Sequence, residues 1–208
     1  MPMSPSPSAQ TPQAADAATE TLGNAIRLYR DASLLFTHDR YASCASLSVL
    51  AIEELAKFMA LAGFQPLQRS EWRSHTAKHL SPTSFLLRNR YQGAVREVIA
   101  EHQLVEPEAT YKRFAAMEYE PGEMALFDTV LAKISADGSL ARFSRASGKE
   151  IDRLKQLGFY VDIDDQNRVR ATPAQITREI AEDHLQLVRD VLEALRSRMP
   201  AVKDIAVE

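Results

Sequence analysis

The stretch YASCASLSVLAIEELAKFMALA, residues 41–62, decides the fold. It is rich in alanine and leucine and contains neither glycine nor proline, which predicts a helix of about 20 residues. Gly63 is expected to end it. Apolar residues lie on almost every side of this helix, and such a helix is normally enclosed by others. The stretch therefore predicts the centre of a helical bundle.

Three charged residues interrupt the apolar run, and they cannot all face water. Glu53 and Lys57 lie four residues apart with the acid first, the favoured order for a helical ion pair. Such a pair contributes only about 0.2–0.5 kcal/mol when exposed, whereas removing one member of a buried pair costs about 3–5 kcal/mol. Two interpretations stay open. The pair is structural and sets the helix register, or Glu53 and Glu54 are oriented toward a catalytic or ligand site.

Further helices are predicted on both sides of this segment. Residues 20–36 carry apolar positions at helical spacing, and residues 38–40 form a turn. Ser81-Pro82 is expected to cap a third helix that runs to about residue 103. Four more helices are predicted: residues 108–117, residues 123–136, a short helix from the capping box Ser147–Glu150 to residue 157, and a long final helix opened by Thr172-Pro173.

One β-hairpin is predicted near residues 159–170. Residues 159–162 and 168–170 have strand character, and Asp164-Asp165-Gln166-Asn167 between them is typical of a turn. The predicted fold class is therefore all-α, a helical bundle with one small hairpin.

Composition limits the domain organisation and the compartment. The chain has 208 residues, 45% hydrophobic and 25% charged, which predicts one packed domain over residues 20–208. Residues 1–19, with four prolines and no aromatic residue, are expected to form a disordered tail.

Charge and cysteine content exclude some classes of protein. A net charge of −3 argues against a protein that binds nucleic acid through an overall positive charge. The single Cys44 excludes an internal disulfide and favours the cytoplasm, and no apolar run is long enough to span a membrane.

Positive charge is concentrated between residues 69 and 90. Five cations stand there against the single acid Glu71: Arg69, Arg73, Lys78, Arg88 and Arg90. His75 and His79 lie in the same stretch and titrate near neutral pH. The pattern suits contact with an RNA phosphate, and the alternative is a solvated surface.

The spacing His75-x-x-x-His79 also raises the question of zinc. Two imidazoles four residues apart share one helix face. Position 76 is Thr, however, where zinc protease helices carry Glu, and no third ligand is marked. Neither a metal nor another cofactor is expected.

Several short segments together resemble the abortive infection AbiV family, within the HEPN-like superfamily. They are NAIRL from Asn24, RYAS from Arg40, LAIEELAK from Leu50, His75-x-x-Lys78-His79, and EIDRLKQLGFYVD from Glu150, so the resemblance covers roughly residues 20–195. It implies a HEPN-type helical bundle from a bacterium. It also implies a role in anti-phage defence that arrests growth or translation of the infected cell. A homodimer is expected, with RNA or the translation machinery as target and a phage-encoded activator protein as a further partner.

The resemblance also directs attention to Arg/His pairs. Active HEPN ribonucleases carry an Arg followed after four to six residues by a His, and a dimer brings two such motifs together. Four pairs have that spacing: Arg69/His75, Arg73/His79, Arg96/His102 and Arg178/His184. None has Asn, Asp or His directly after the Arg. Arg69/His75 is preferred because it lies in the basic stretch and because His75 matches the His-x-x-Lys of the family.

These residues define a candidate site for metal-independent RNA cleavage. His75 would exchange the proton, Arg69 and Lys78 would stabilise phosphate charge, and Glu53 or Glu54 would orient the basic groups. The predicted RNA-binding residues are Arg73, Lys57, His79, Arg88 and Arg90. Whether the protein is an enzyme stays open at this point. The alternatives are a non-catalytic helical module that binds a phage or host protein, and an antitoxin or regulatory subunit.

Overall fold

The helix predicted over residues 41–62 is present as α2 (Tyr41–Leu61) and lies at the centre of a helical bundle. The computed structural model describes residues 12–64, 71–104, 106–118, 120, 122–136, 138 and 150–199. Ala62 caps α2, and Gly63 then takes a positive φ of 76°, the conformation that favours glycine after a helix. The all-α fold with one small hairpin is confirmed.

The first helix is longer than the sequence predicted. α1 (Pro12–Thr37) begins eight residues before position 20, so residues 12–19 are helical and the expected disordered tail is wrong for that part. The rest of the predicted tail, residues 1–11, lies outside the described residues. Ala18 is already buried against the bundle, and this burial explains the early start. A turn at residues 38–40 folds α1 back along α2.

The third helix also begins earlier than predicted. α3 (His75–Glu101) follows a short 3-10 turn, Glu71–Arg73, and its cap is Ser74, whose hydroxyl accepts a hydrogen bond from the Ala77 amide at 3.2 Å. Ser81-Pro82 lies inside the helix. Pro82 has no N–H for the Lys78 carbonyl, but neighbouring packing keeps the helix continuous. Lys78 and His79 are therefore helical and buried.

Two shorter helices pack on the second half of α3. They are α4 (Pro107–Ala115) and α5 (Met124–Ala136), and the sequence predicted both. Together they enclose an apolar cluster separate from the main core, made of Ala94, Val95, Val98, Ile99, Phe114, Val130 and Ile134.

The last third of the chain adds a helix, the hairpin and the final helix. α6 (Glu150–Leu157) is followed by β1 (Asp162–Ile163) and β2 (Val169–Ala171), which pair antiparallel. The Asp164 carboxylate stabilises the turn by accepting from the amides of Gln166 and Arg168. Ser147, the predicted cap of α6, lies outside the described residues.

The final helix is α7 (Arg178–Arg198), and its predicted start at Thr172-Pro173 is wrong. Residues Pro173–Gln175 form a separate 3-10 turn, and Thr172 makes no side-chain cap bond. The cap is Thr177, whose hydroxyl accepts from the Ile180 amide at 3.3 Å. Both segments carry cap residues, so local sequence alone did not distinguish them.

The main core is formed by the apolar faces of α1, α2, α3 and α7. A second cluster lies where α6, the hairpin and the start of α7 meet the α1–α2 pair, and it includes Cys44. Among the described helices, none has both the length and the apolar composition needed to cross a membrane. The core matters for function because it surrounds several buried polar side chains.

Candidate functional site

Glu53 is the centre of a buried ionic network that joins three helices. Its side chain projects from α2 and the residue is only 4% exposed. Lys78 of α3 donates to Glu53 Oε2 at 2.9 Å, and Lys155 of α6 donates to Oε1 at 3.3 Å. Removing charges from water is costly, and a carboxylate with two ammonium partners is one arrangement that offsets the cost. We call Glu53, Lys78 and Lys155 the ionic network.

The pairing predicted within α2 is wrong. Lys57 Nζ binds Glu54 Oε1 at 2.6 Å, three residues away, and not Glu53. Both side chains of the Glu54–Lys57 pair keep some contact with solvent, whereas Glu53 is turned into the bundle. The structure therefore brings Glu53 and Lys78 together as two of the predicted catalytic residues, and it gives Glu54 a different partner.

His79 is enclosed next to the ionic network. It is 1% exposed, and neither ring nitrogen makes a hydrogen bond, although the Val49 carbonyl lies near enough to favour the protonated ring slightly. Burial is the main reason that the pKa of His79 falls to about 3, and the nearby His184 lowers it further. His79 is therefore neutral near pH 7. The prediction that His79 contacts RNA does not fit this position, because only 1% of the residue is exposed.

His184 is a second buried histidine, and it borders a groove. It belongs to α7, is 5% exposed, and its Nδ1 lies 2.8 Å from the Ile180 carbonyl. The carbonyl can only accept, so Nδ1 carries the hydrogen and Nε2 is left as an acceptor. Burial lowers the pKa of His184, while the Ile180 carbonyl and the charge of Asp183 act in the opposite direction. The resting imidazole is neutral.

The groove next to His184 lies between α6, the 3-10 turn before α7, and the first turns of α7. Its volume is about 490 Å³, within the range of small-ligand sites. Its aliphatic lining residues are Ile151, Leu154 and Leu157 of α6, Ile180 of α7, and Ile176 just before α7. The polar groups around it are Arg153, Gln175, Thr177, Glu179, Asp183 and His184. We call this space the His184 groove.

The cations of the predicted basic stretch do not form one surface. Arg73 and Arg88 are exposed, Lys78 is buried against Glu53, and Arg90 binds Asp190 of α7 at 3.0 Å. Arg69 lies outside the described residues, and of His75 the structure gives only its backbone position at the start of α3. The favoured pair Arg69/His75 thus has no described side-chain geometry.

The other three Arg/His pairs are placed differently from one another. Arg96 stacks on Tyr111 with its guanidinium 5.1 Å from the ring centroid, and His102 is exposed after the end of α3. Arg73 is exposed while His79 is enclosed. Arg178 lies over the Phe36 ring at 5.4 Å, and its partner His184 faces the groove. Of these three histidines, His184 combines a fixed ring nitrogen with access to a groove.

Sequence reasoning missed Lys155 and Asp183. Lys155 reaches Glu53 across 102 residues, and no local pattern indicates a contact of that kind. Asp183 carried a weak signal, since it directly precedes a histidine of one Arg/His pair. Its burial, at 8% exposure, could not be read from an acidic stretch of helix.

Two other groups bear on the chemistry. Within the described residues, no cluster of three or more His, Cys, Asp or Glu side chains is arranged to hold a metal ion. Burial raises the pKa of the Cys44 thiol to about 11, so this cysteine is protonated and packs as a small apolar residue.

Comparison with known proteins identifies the family. No curated protein and no solved structure is significantly similar to the chain. A model of the HEPN_AbiV family, described as AbiV, matches residues 13–193. The match extends from the first turn of α1 into the last turns of α7, so it includes the ionic network and the His184 groove. The chain belongs to the AbiV family of HEPN proteins.

Proposed function

We propose that this protein arrests the growth of phage-infected bacteria by cleaving RNA without a metal ion. Membership of the AbiV family points to abortive infection as the biological role. The observation that carries the chemical proposal is the neutral His184 ring, which is held through Nδ1 and belongs to a residue that lines a groove. This position differs from the His75 site that the sequence favoured, whose side-chain geometry is not described.

The proposed step is attack of a ribose 2′-oxygen on the adjacent phosphorus. His184 Nε2 takes the 2′-hydroxyl proton, the new P–O bond forms, and the bond from phosphorus to the 5′-oxygen breaks. Water supplies a proton to the leaving oxygen, and the hydroxide that remains takes the proton back from His184 Nε2. The products are a 2′,3′-cyclic phosphate and a 5′-hydroxyl, so atoms and charge balance without a further reactant.

Two neighbours of His184 suit this role. Asp183 favours the imidazolium that forms when Nε2 gains a proton, as an acid beside a catalytic histidine commonly does. Arg153 offers a guanidinium at the same groove, where it can offset phosphate charge. The ionic network joins α2, α3 and α6, and α6 forms one wall of the groove. Glu53, Lys78 and Lys155 do not line the groove, so their proposed role is to position α6 without touching RNA.

The experiment compares cleavage of tRNA and mRNA by purified full-length protein in the presence of a chelator. We expect cleavage by wild type with 2′,3′-cyclic phosphate ends, and a rate about 10²–10⁴ lower for His184→Gln. His38→Gln is the matched control, because His38 Nδ1 also lies 2.8 Å from a carbonyl, that of Leu34, but at an exposed helix end. It should cleave like wild type.

A parallel His75→Ala variant decides between the two candidate histidines. If His75→Ala loses cleavage and His184→Gln keeps full activity, the catalytic base is His75 and not His184. Absence of cleavage by wild type on both RNAs would end the proposal of RNA cleavage. Urea unfolding of each variant separates loss of chemistry from loss of fold.

A second candidate function, a non-catalytic interaction module, is favoured by one observation. Glu53 is satisfied inside the bundle by two lysines, as a purely structural network would be. Under this alternative, growth arrest during phage challenge survives both His184→Gln and His75→Ala. Loss of arrest in a folded His184→Gln protein would count against it.

A further inference from the structure

A second groove lies next to the His184 groove, and one row of α6 side chains separates the two. Arg153 and Leu157 are four residues apart, so they follow each other along one face of the helix, and both residues line both grooves. The α6 residues on the His184 side of this row are Ile151 and Leu154, and those on the other side are Asp152 and Gln156. A chain that crosses the row at Arg153 therefore passes from one groove into the other.

The second groove lies between α6 and β1 and carries an exposed aromatic ring. Its volume is about 650 Å³, and Tyr160 is one of its lining residues. The Tyr160 side chain is 70% exposed, and its ring packs edge-to-face against Phe159 with the centroids 6.5 Å apart. The Tyr160 amide donates to the Gln156 carbonyl at 3.0 Å, which holds this residue at the end of α6. We call this space the Tyr160 groove.

We propose that the Tyr160 groove binds an unpaired nucleobase next to the nucleotide that His184 acts on, an inference that rests on the proposed function for its class of ligand. Single-stranded nucleic acid is held by stacking its bases on exposed aromatic rings, and Tyr160 offers such a ring. Arg153 lines both grooves, so its guanidinium is placed to bind the phosphate that joins the two nucleotides.

The acids of the Tyr160 groove favour a base over a phosphate inside it. Asp152 and Asp162 both line the groove, and Asp152 Oδ1 lies 3.7 Å from Lys155 Nζ. A carboxylate repels a phosphate, whereas it accepts a hydrogen bond from the amino group of a base. Cytosine presents an amino group where uracil presents a carbonyl oxygen, which can only accept. We therefore assign to Asp162 a preference for bases that carry an amino group.

Fluorescence anisotropy with labelled 2′-O-methyl RNA of about eight nucleotides tests the stacking role. This RNA lacks the 2′-hydroxyl that the proposed cleavage needs, so binding is measured without cleavage. Tyr160→Ala should weaken binding about tenfold, and Tyr160→Phe, which keeps the ring, should bind like wild type. Val169→Ala is the matched control, because Val169 is 60% exposed on β2 of the same hairpin and does not line the groove. It should also bind like wild type.

A comparison of oligocytidine with oligouridine tests the base preference. Wild type should bind oligocytidine about three- to tenfold more tightly, as one additional hydrogen bond predicts. Asp162→Asn should bring the ratio of the two affinities close to one. Asp165→Asn removes the same charge from an exposed position of the hairpin outside the groove, so it should keep the wild-type ratio. Circular dichroism checks that each variant is folded.

Three results would overturn the inference. They are wild type that binds neither RNA, a folded Tyr160→Ala variant that binds like wild type, and equal affinity of wild type for the two RNAs. Cleavage of unmodified RNA is measured separately, so the two proposals can fail independently. Cleavage that needs His184, together with binding that does not need Tyr160, overturns this inference alone. Binding that needs Tyr160, without any cleavage, supports the Tyr160 groove and ends the proposal of RNA cleavage.

Discussion

Glu53 shows how a single buried charge can be retained in an apolar helix. It lies on α2 among alanine, leucine and isoleucine, yet both of its oxygens accept from lysines that other helices supply. Lys78 is as enclosed as Glu53, so solvent does little to screen this contact. Removing one of these charges therefore costs more free energy of unfolding than removing one member of a surface pair.

Replacing Glu53 should destabilise the protein much more than replacing its neighbour. Glu53→Gln removes the carboxylate shared by Lys78 and Lys155, and although Lys155 also lies 3.7 Å from Asp152 Oδ1, the buried Lys78 loses its acid. We expect the free energy of unfolding to fall by about 3–5 kcal/mol. Glu54→Gln removes only a partly exposed pair with Lys57 and should cost about 1 kcal/mol or less. Urea unfolding of the two variants provides the measurement. Equal losses would contradict the distinction between them.

His79 should make stability depend on pH in the acid range. Its folded pKa is about 3 and its ordinary value is 6.5, so the unfolded chain binds a proton between these values and the folded chain does not. The contribution of the neutral His79 ring to the free energy of unfolding is therefore fully present above about pH 6.5. As the pH falls from 6.5 toward 3, the free energy of unfolding decreases by about 1.4 kcal/mol per pH unit for one histidine. The lowered pKa of His184 acts in the same direction.

The measurement is the urea midpoint of wild type, His79→Leu and His79→Gln at pH 7.5 and 5.0. Both variants lack the titrating ring, so their midpoints should change less with pH than that of wild type. Leu also removes two buried nitrogens that have no hydrogen-bond partner. A pH dependence equal to wild type in both variants would show that His79 does not titrate as described.

At the level of elements, the sequence predicted which helices exist better than where they begin. The interior of α2 was correct because its apolar run has no competing signal. The start of α3 was wrong because Ser81-Pro82 is a good cap pattern that tertiary packing overrides. The contact of Glu53 with Lys78 agrees with the prediction that Glu53 or Glu54 orients the basic groups. The contact of Glu53 with Lys155 was missed because it joins segments about 100 residues apart.

The contact between α2 and the end of α6 depends on a glycine. A β-carbon at Gly158 would lie 1.7 Å from Ser46 Oγ and 2.4 Å from the Ala42 carbonyl oxygen, so backbone as well as side chain stands in its way. We expect Gly158→Ala to lower the free energy of unfolding by about 1–3 kcal/mol.

Gly93 is the matched control for that substitution. It lies within α3 with nothing near its missing β-carbon, so Gly93→Ala should stabilise the protein by up to about 1 kcal/mol. Thermal or urea unfolding of both variants measures the two changes in the free energy of unfolding. A neutral effect at position 158 would mean that α6 can move away from α2 at little cost.

At the scale of the whole molecule, the apolar interior is divided. The main core is shared by α1, α2, α3 and α7, whereas α4 and α5 pack with the far end of α3 around their own cluster. A region with a smaller separate core can open without unfolding the rest. The molecule should therefore contain two regions of unequal stability.

Hydrogen exchange should reveal this division. Amides of residues 107–136 are expected to exchange through a lower-energy opening than amides of α2, and Phe114→Ala should accelerate exchange in residues 107–136 while leaving α2 unchanged. Mass spectrometry of peptic fragments can resolve the two regions. Uniform acceleration throughout the chain would indicate a single cooperative unit.

The bond between Glu53 and Lys155 has a consequence for biosynthesis. The ribosome adds Lys155 about a hundred residues after the acid it neutralises, when about three quarters of the chain has already been made. Until then α2 carries a carboxylate with only one of its two lysine partners made. A prematurely terminated chain that ends before α6 never gains Lys155, so Glu53 stays incompletely paired. We expect quality-control proteases to degrade such a chain more readily than the full-length protein.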